Sequence, residues 1–263
     1  MDFNSNNLLV PRGKIFFAKY LAGTQTPGPF REFGNCPEFT LTRESETLQH
    51  YCSQQGLKVL DKQLVISSTM NGSVLTDDIK TENLAYWYLG NTTTLSTTIQ
   101  TGLIETFLLV KAGDTFQLGR SDTNPSGYRK VTTTAVTDGA GTPVPRVLGT
   151  DYLIDTDLGI VEIPVGSAAI GGTLKVTYNV AASSREQVVA GEQQIEGELK
   201  FISFNPIGAQ ADITIPRAIL APNGDMSMLN DPESTAFQTL PLSITVLKKG
   251  ILALAYRDGR VLA

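Results

Sequence analysis

The chain is poor in charge and in the residues that most catalytic sites need. Of its 263 residues only 18% are charged, 21 basic against 26 acidic for a net charge of -5, where about 25% is typical. A duplex-binding protein displaces counterions with clustered Lys and Arg; no basic run exists here, which excludes a tight grip on nucleic acid. A single histidine, His50, excludes metal sites with two or more imidazoles and forces any Ser-His-Asp device through that residue. Cys36 and Cys52 are the two cysteines; they lack C-x-x-C spacing and read as reduced packing residues. No run approaches the ~18 apolar residues of a membrane span. Met1 to Pro11 is polar, without the basic-then-apolar plan of a signal peptide. The expectation is a soluble chain made inside the cell, with one or two domains at roughly 150 residues each.

What is present is period-two alternation filled with Thr, Val, Ile and aromatic residues, the pattern of half-buried antiparallel strands. Lys14 to Leu21 reads as a central strand, apolar on both faces. Cys36 to Arg43 alternates Phe39 and Leu41 with Glu38, Thr40 and Thr42. Leu57 to Leu75 is a long strand carrying Leu64, Ile66 and Met70 in step, with Asn71-Gly72 as a turn signal. Asp78 to Gly90 breaks the pattern: Leu84, Trp87 and Tyr88 at i, i+3 and i+4 predict a short core-facing helix closed by Gly90.

From Asp114 to Ser184 short strands alternate with strong turn signals such as Asn124-Pro125-Ser126-Gly127 and Asp138-Gly139-Ala140-Gly141. The flanks, Thr106 to Lys111 and Gln187 to Phe204, return to long strands, so this module reads as inserted. The expected organisation is a discontinuous β domain, 1–113 with 185–263, interrupted by a small β module at 114–184. The tail continues with Ala211 to Leu220, a polar loop Ala221 to Ser234, Leu240 to Lys248 and Ile251 to Tyr256.

Candidate chemistry is sparse. Glu196 and Glu198 share one side of a strand, roughly 6 to 7 Å apart at the backbone, yet nothing else marks the cleft a glycosidase pair needs. Asp151, Asp155, Asp157, Gly159 and Glu162 fail the register of a calcium loop and fit aspartates at hairpin turns. Neither glycine-rich phosphate cradle occurs. No catalytic residue, cofactor or metal is assigned, and the chain is not expected to be an enzyme. The segment Thr42 to Asp61, T-R-E-S-E-T-L-Q-H-Y-C-S-Q-Q-G-L-K-V-L-D, interleaves apolar and polar groups too irregularly for a plain strand pair. It is either a long surface loop or an extended arm that docks on another subunit.

In order along the chain, G-K-I-F-F at Gly13 to Phe17, F-G-N-C-P-E-F-T-L at Phe33 to Leu41, E-x-L-x-H-Y at Glu46 to Tyr51 and S-Q-Q-G-L-K-V-L-D at Ser53 to Asp61 are followed by T-E-N-L-A-Y-W-Y-L-G at Thr81 to Gly90 and A-D-I-T-I-P-R-A-I-L-A-P-N-G-D at Ala211 to Asp225. This order resembles the ring-forming major tail tube proteins of long-tailed (siphovirus-like) bacteriophages. The resemblance covers roughly Gly13 to Gly113 and Gln187 to Val246; its motifs are soft, and its specificity lies in their order. It implies a mainly β fold, a two-sheet antiparallel sandwich with one short helix, closing as six copies into rings that stack into a hollow virion tail tube for genome ejection. It implies a tape-measure protein and tail-tip or terminator proteins as partners, transient passage of DNA, and no membrane insertion. By the same resemblance Glu46, Leu48, His50, Gln55 and Asp61 belong to an arm reaching the next ring, while Glu196, Glu198 and Lys200 are assigned to a lumen-facing strand. Two other readings stand beside it: a related terminator or injection-system tube component, and a carbohydrate-binding β-sandwich, which would require exposed Tyr86, Trp87 and Tyr88.

Overall fold

The computed structural model describes residues 8–54 and 56–259. The chain forms β1 (Gly13–Lys19), β2 (Arg31–Glu32), β3 (Glu38–Cys52), β4 (Val59–Thr76), the helix α1 (Thr81–Trp87) and β5 (Asn91–Thr97). Next come β6 (Gln100–Leu108), β7 (Thr115–Gln117), β8 (Val131–Thr137), β9 (Leu153–Asp155), β10 (Ile160–Glu162) and β11 (Thr173–Val180). The last elements are β12 (Ser183–Val189), β13 (Ile195–Ser203), β14 (Ala211–Pro222), β15 (Leu240–Val246) and β16 (Tyr256–Gly259). The protein is mainly β, with antiparallel sheets and one short helix. Among the described residues no helix is long and apolar enough to cross a membrane.

The residues cluster into two units, one from the segments up to Thr93 and from Val188 onward, the other Thr94–Gln187. The second unit therefore begins well before residue 114. Its extra strand is β6: the stretch that reads as a flanking strand of the larger domain instead pairs along β11, Thr106 opposite Lys175 and Leu108 opposite Thr173. β5 and β12, where the chain leaves and re-enters the larger unit, pair with each other as a ribbon.

In the larger unit the strand order is β2-β1-β13-β14-β15-β4-β3, with β16 also pairing on β14. Ile15, Phe17, Ile195, Leu199, Ile215, Leu220, Leu242, Ile244 and Val74 form a single buried core with Phe33 and Tyr86. Phe39 on β3 meets Phe201 on β13 at 5.7 Å between ring centroids. Three strands lie between them in the order, and a flat sheet would hold them about 19 Å apart at ~4.8 Å per strand. The sheet must curl, so the two layers facing the core are two halves of one continuous sheet.

α1 closes the core. Tyr86 packs edge-on against Phe17 at 5.5 Å and against Phe33 at 5.8 Å. The buried Asn83 side chain donates to the carbonyls of Phe33 (2.8 Å) and Asp78 (2.7 Å), satisfying backbone that the helix entry would otherwise strand. The helix thus docks mainly through Asn83, Ala85 and Tyr86; of the expected stripe, Trp87 packs against the core from its edge, while Leu84 and Tyr88 are half-buried. At seven residues it is too short for a full amphipathic stripe, and two polar and aromatic fits decide which side faces in. Trp87 is half-buried at the core's edge, its ring edge-on to Tyr88 at 5.1 Å. With Tyr86 buried, these aromatics form no exposed sugar platform.

The smaller unit has sheets β7-β10-β9 and β6-β11-β8 around a second core that includes Leu118, Ile163, Leu174, Val176 and Tyr178. Its aspartates act in turns. Asp155 accepts the Leu158 N–H (2.8 Å), and Asp151 accepts those of Val147 (2.8 Å) and Ala168 (3.0 Å). Those two backbone donors hold the Asp151 carboxyl below its ordinary pKa. A carboxylate depressed in the folded state stabilises above its ordinary pKa, and that contribution is lost as pH falls through the folded value. Asp151→Asn, which can accept at one atom only, is expected to lower the melting temperature of this unit at pH 7. The gap from the parent should shrink below about pH 4 in thermal melts across a pH series; a gap unchanged down to pH 2 would rule out the carboxylate's role.

Candidate functional site

The longest paired element is the hairpin of β3 and β4, 15 and 18 residues. Its inner part belongs to the sheet: Glu38 to Arg43 pair with Leu75 to Met70, and β4 pairs on its other side with β15 from Thr76 opposite Leu240 to Met70 opposite Val246. Beyond Met70, residues 44–52 and 59–69 pair only with each other among the described strands. This outer ribbon is about 30 Å long at ~3.3 Å per residue. The segment is therefore an extended hairpin and not an irregular surface loop.

Two bulges shape it, one where Glu46 and Thr47 face Ser67 and Val65, the other where His50 and Tyr51 face Lys62 and Leu60. Asp61 is the extra residue of the second bulge, and its carboxylate oxygen lies 2.6 Å from His50 Nδ1. The Lys58 ammonium sits 4.3 Å over the Tyr51 ring, and Arg43 Nε donates to Ser68 Oγ at 3.1 Å. These links staple the two strands to each other and to nothing else. Bulges of this kind raise local twist and re-aim side chains.

The arm is exposed on both faces, and much of what it exposes is apolar. Leu48 and Leu64 face each other across the ribbon at 60% and 58% exposure; Leu57, Val59, Leu60, Val65 and Ile66 are exposed too. An isolated two-stranded hairpin is at best marginally stable in water. A run of exposed aliphatic side chains on a strand pair marks a contact surface.

Of the residues assigned to the arm from the sequence, Glu46, Leu48, His50 and Asp61 lie on this ribbon and are exposed; Gln55 lies outside the described residues. Leu57, Val59 and Leu60 lie within the candidate segment without being singled out as contact residues, and Leu64, Val65 and Ile66 extend the exposed apolar run beyond it. Their signal is V-L-D-K-Q-L-V-I at Val59 to Ile66, too apolar for a loop and lacking one polar face.

Glu196, Glu198 and Lys200 share one side of β13, half-buried, while Ile195, Gly197 and Leu199 turn inward. The Glu196 carboxylate takes the Arg217 guanidinium at 2.9 and 3.0 Å, and Lys200 Nζ stands 5.6 Å from the Phe30 ring centroid. Gly197 keeps the strands close: a Cβ there would collide with the Ala18 carbonyl oxygen. The paired carboxylates of the glycosidase reading are therefore one ion pair and one open glutamate on a sheet face.

Both cysteines are free thiols, and burial pushes Cys36 up to about 11. No curated protein matches the chain. One family model matches residues 9–250, and its description is protein of unknown function UCP028589.

Proposed function

The chain belongs to the family of unknown function UCP028589, and we propose that it is a structural virion protein, the subunit of hexameric rings that stack into a hollow phage tail tube. The observation that carries this reading is the β3–β4 arm, a ribbon with a run of exposed apolar side chains that the other described residues leave uncovered. A second copy is the partner that such a ribbon suits, because a contact between two different surfaces of identical chains propagates: it closes as a ring or extends as a polymer. The sheet adds a lateral route, since the outer edge of β3 has no strand partner among the described residues and joining such edges around a ring would cover them.

The face of β13 with Glu196, Glu198 and Lys200 is assigned to the lumen. A net charge of -5 suits a wall past which DNA must slide, since mild repulsion keeps the polyanion from sticking. A tape-measure protein in the lumen and terminator or tail-tip proteins at the ends complete the assembly as partners.

Negative-stain electron microscopy of the purified protein across a concentration series tests this directly. Six-fold rings or hollow tubes are expected. Monomers persisting at high concentration, and still failing to assemble when tail initiator complexes are added, would overturn the reading. In tubes that do form, Glu46→Lys with Asp61→Lys is expected to block stacking while leaving the melting temperature within about 3 °C, because both residues are exposed. Tubes of unchanged length from this variant would remove these charges from the contact.

A further inference from the structure

The registers give the larger unit a polarity. β15 is seven residues long. At its Val246 end it meets Met70, where the arm leaves the sheet; at its Leu240 end it meets Thr76. The connection from β14 to β15, residues 223–239, departs from that second end, where Pro222 pairs with Leu242. Arm and connection therefore leave opposite ends of the same strands.

This connection is long for two neighbouring antiparallel strands, which a few residues can join. It is built as a compact loop tied by its own side chains. Gln238 Nε2 donates to the Ser227 carbonyl at 2.6 Å, Asn230 Nδ2 to the Ala236 carbonyl at 3.2 Å, and the Ser227 hydroxyl lies 2.7 Å from Asn230 Oδ1. Met226 is buried and anchors it. Held out from that frame are Leu229 at 92% exposure and Phe237 at 88%, with Met228 beside them. Large apolar groups displayed on a self-tied loop form a preorganised contact surface, since little further ordering is needed on binding.

We propose that the 223–239 loop of one copy is the seat for the β3–β4 arm of the next. The inference rests on the tube reading and specifies its axial contact: apolar ribbon on apolar loop, head to tail. Because each copy offers one arm at one end and one seat at the other, the contact is heterologous and does not saturate at a dimer.

Native Cys52 on β3 supplies a thiol on the arm, and Glu233→Cys or Thr235→Cys, beside the displayed Leu229 and Phe237 and leaving both in place, supplies one on the loop. Cys36, half-buried against the core with its thiol on the Gly34 carbonyl, is replaced by Ser in every variant so that Cys52 is the native thiol that reacts. Treating the assembled full-length variants with a short bis-maleimide is expected to give a ladder of dimers, trimers and longer chains on a denaturing gel. Adding Cys52→Ser should abolish it, and Ile207→Cys, at the arm's own end of the sheet, should not produce it. The two loop positions and the control position are exposed, and unchanged Trp87 emission checks the fold of each variant. Tubes without a ladder would overturn the loop assignment and leave the tube reading standing. A product that stops at dimers would overturn the head-to-tail geometry. Monomers with neither tubes nor ladder, even after tail initiator complexes are added, would overturn the tube reading, and this one with it.

Discussion

Excising the outer arm is expected to abolish assembly and leave the subunit folded. The registers supply a clean cut: Ser45 lies opposite Ser68, so joining them through Asn-Gly makes a two-residue hairpin whose turn twists with the strands. Every described residue removed is exposed or half-buried, and none belongs to the core around Phe17 and Tyr86. The melting temperature should therefore move by less than about 3 °C. Assembly should respond far more. Fully burying one Leu side chain is worth about 1.5–3 kcal/mol, so losing even two arm leucines from a contact raises the free concentration needed for assembly by about 100-fold or more. Sedimentation velocity across a concentration series measures this, and tubes from the excised variant would show that the arm is not the axial contact.

That the arm was legible at all follows from its irregularity. T-R-E-S-E-T-L-Q-H-Y lacks a clean polar face because neither face of the ribbon meets the chain's own core. The central strands were legible for the opposite reason: in β1, Ile15 and Phe17 fill the core while Ala18 and Tyr20 are buried on the other side. Asn71-Gly72 misleads because local turn chemistry competes with pairing on both flanks. β4 runs straight through, with Gly72 opposite both Leu41 and Ile244. Glycine is needed there for close approach, since a Cβ would strike the Thr40 carbonyl oxygen. The start of the smaller unit was hidden because β6 alternates like the strands before it; only its partner, β11, assigns it elsewhere. The polar reading of Ala221 to Ser234 passes over Leu229 and stops short of Phe237; both are isolated apolar letters that no period marks.

Fold and assembly should also separate in the other direction. Phe17 is fully buried at the centre of the larger core, with Tyr86 edge-on to it and Phe33 at 6.5 Å. Truncating such a ring removes its transfer energy and leaves a cavity that a curled sheet cannot easily collapse, a cost of about 3–5 kcal/mol. For a unit of this size that corresponds to roughly 6–20 °C in melting temperature. Trp87, the only tryptophan, reports this locally, because α1 is held on the sheet largely through Tyr86 and its fluorescence shifts when the helix releases. Phe17→Ala is thus expected to lower the transition seen by Trp87 emission and to leave in place a transition of the smaller unit, whose core around Tyr178 shares no residue with this one. Loss of both transitions together would mean that the two cores unfold as one. Excision of the arm should leave Trp87 emission untouched while tubes vanish, and Phe17→Ala should lose tubes only at temperatures where Trp87 reports unfolding. A Phe17→Ala protein that stays folded by that signal yet never assembles would place part of the intersubunit contact on α1, where the arm reading puts none.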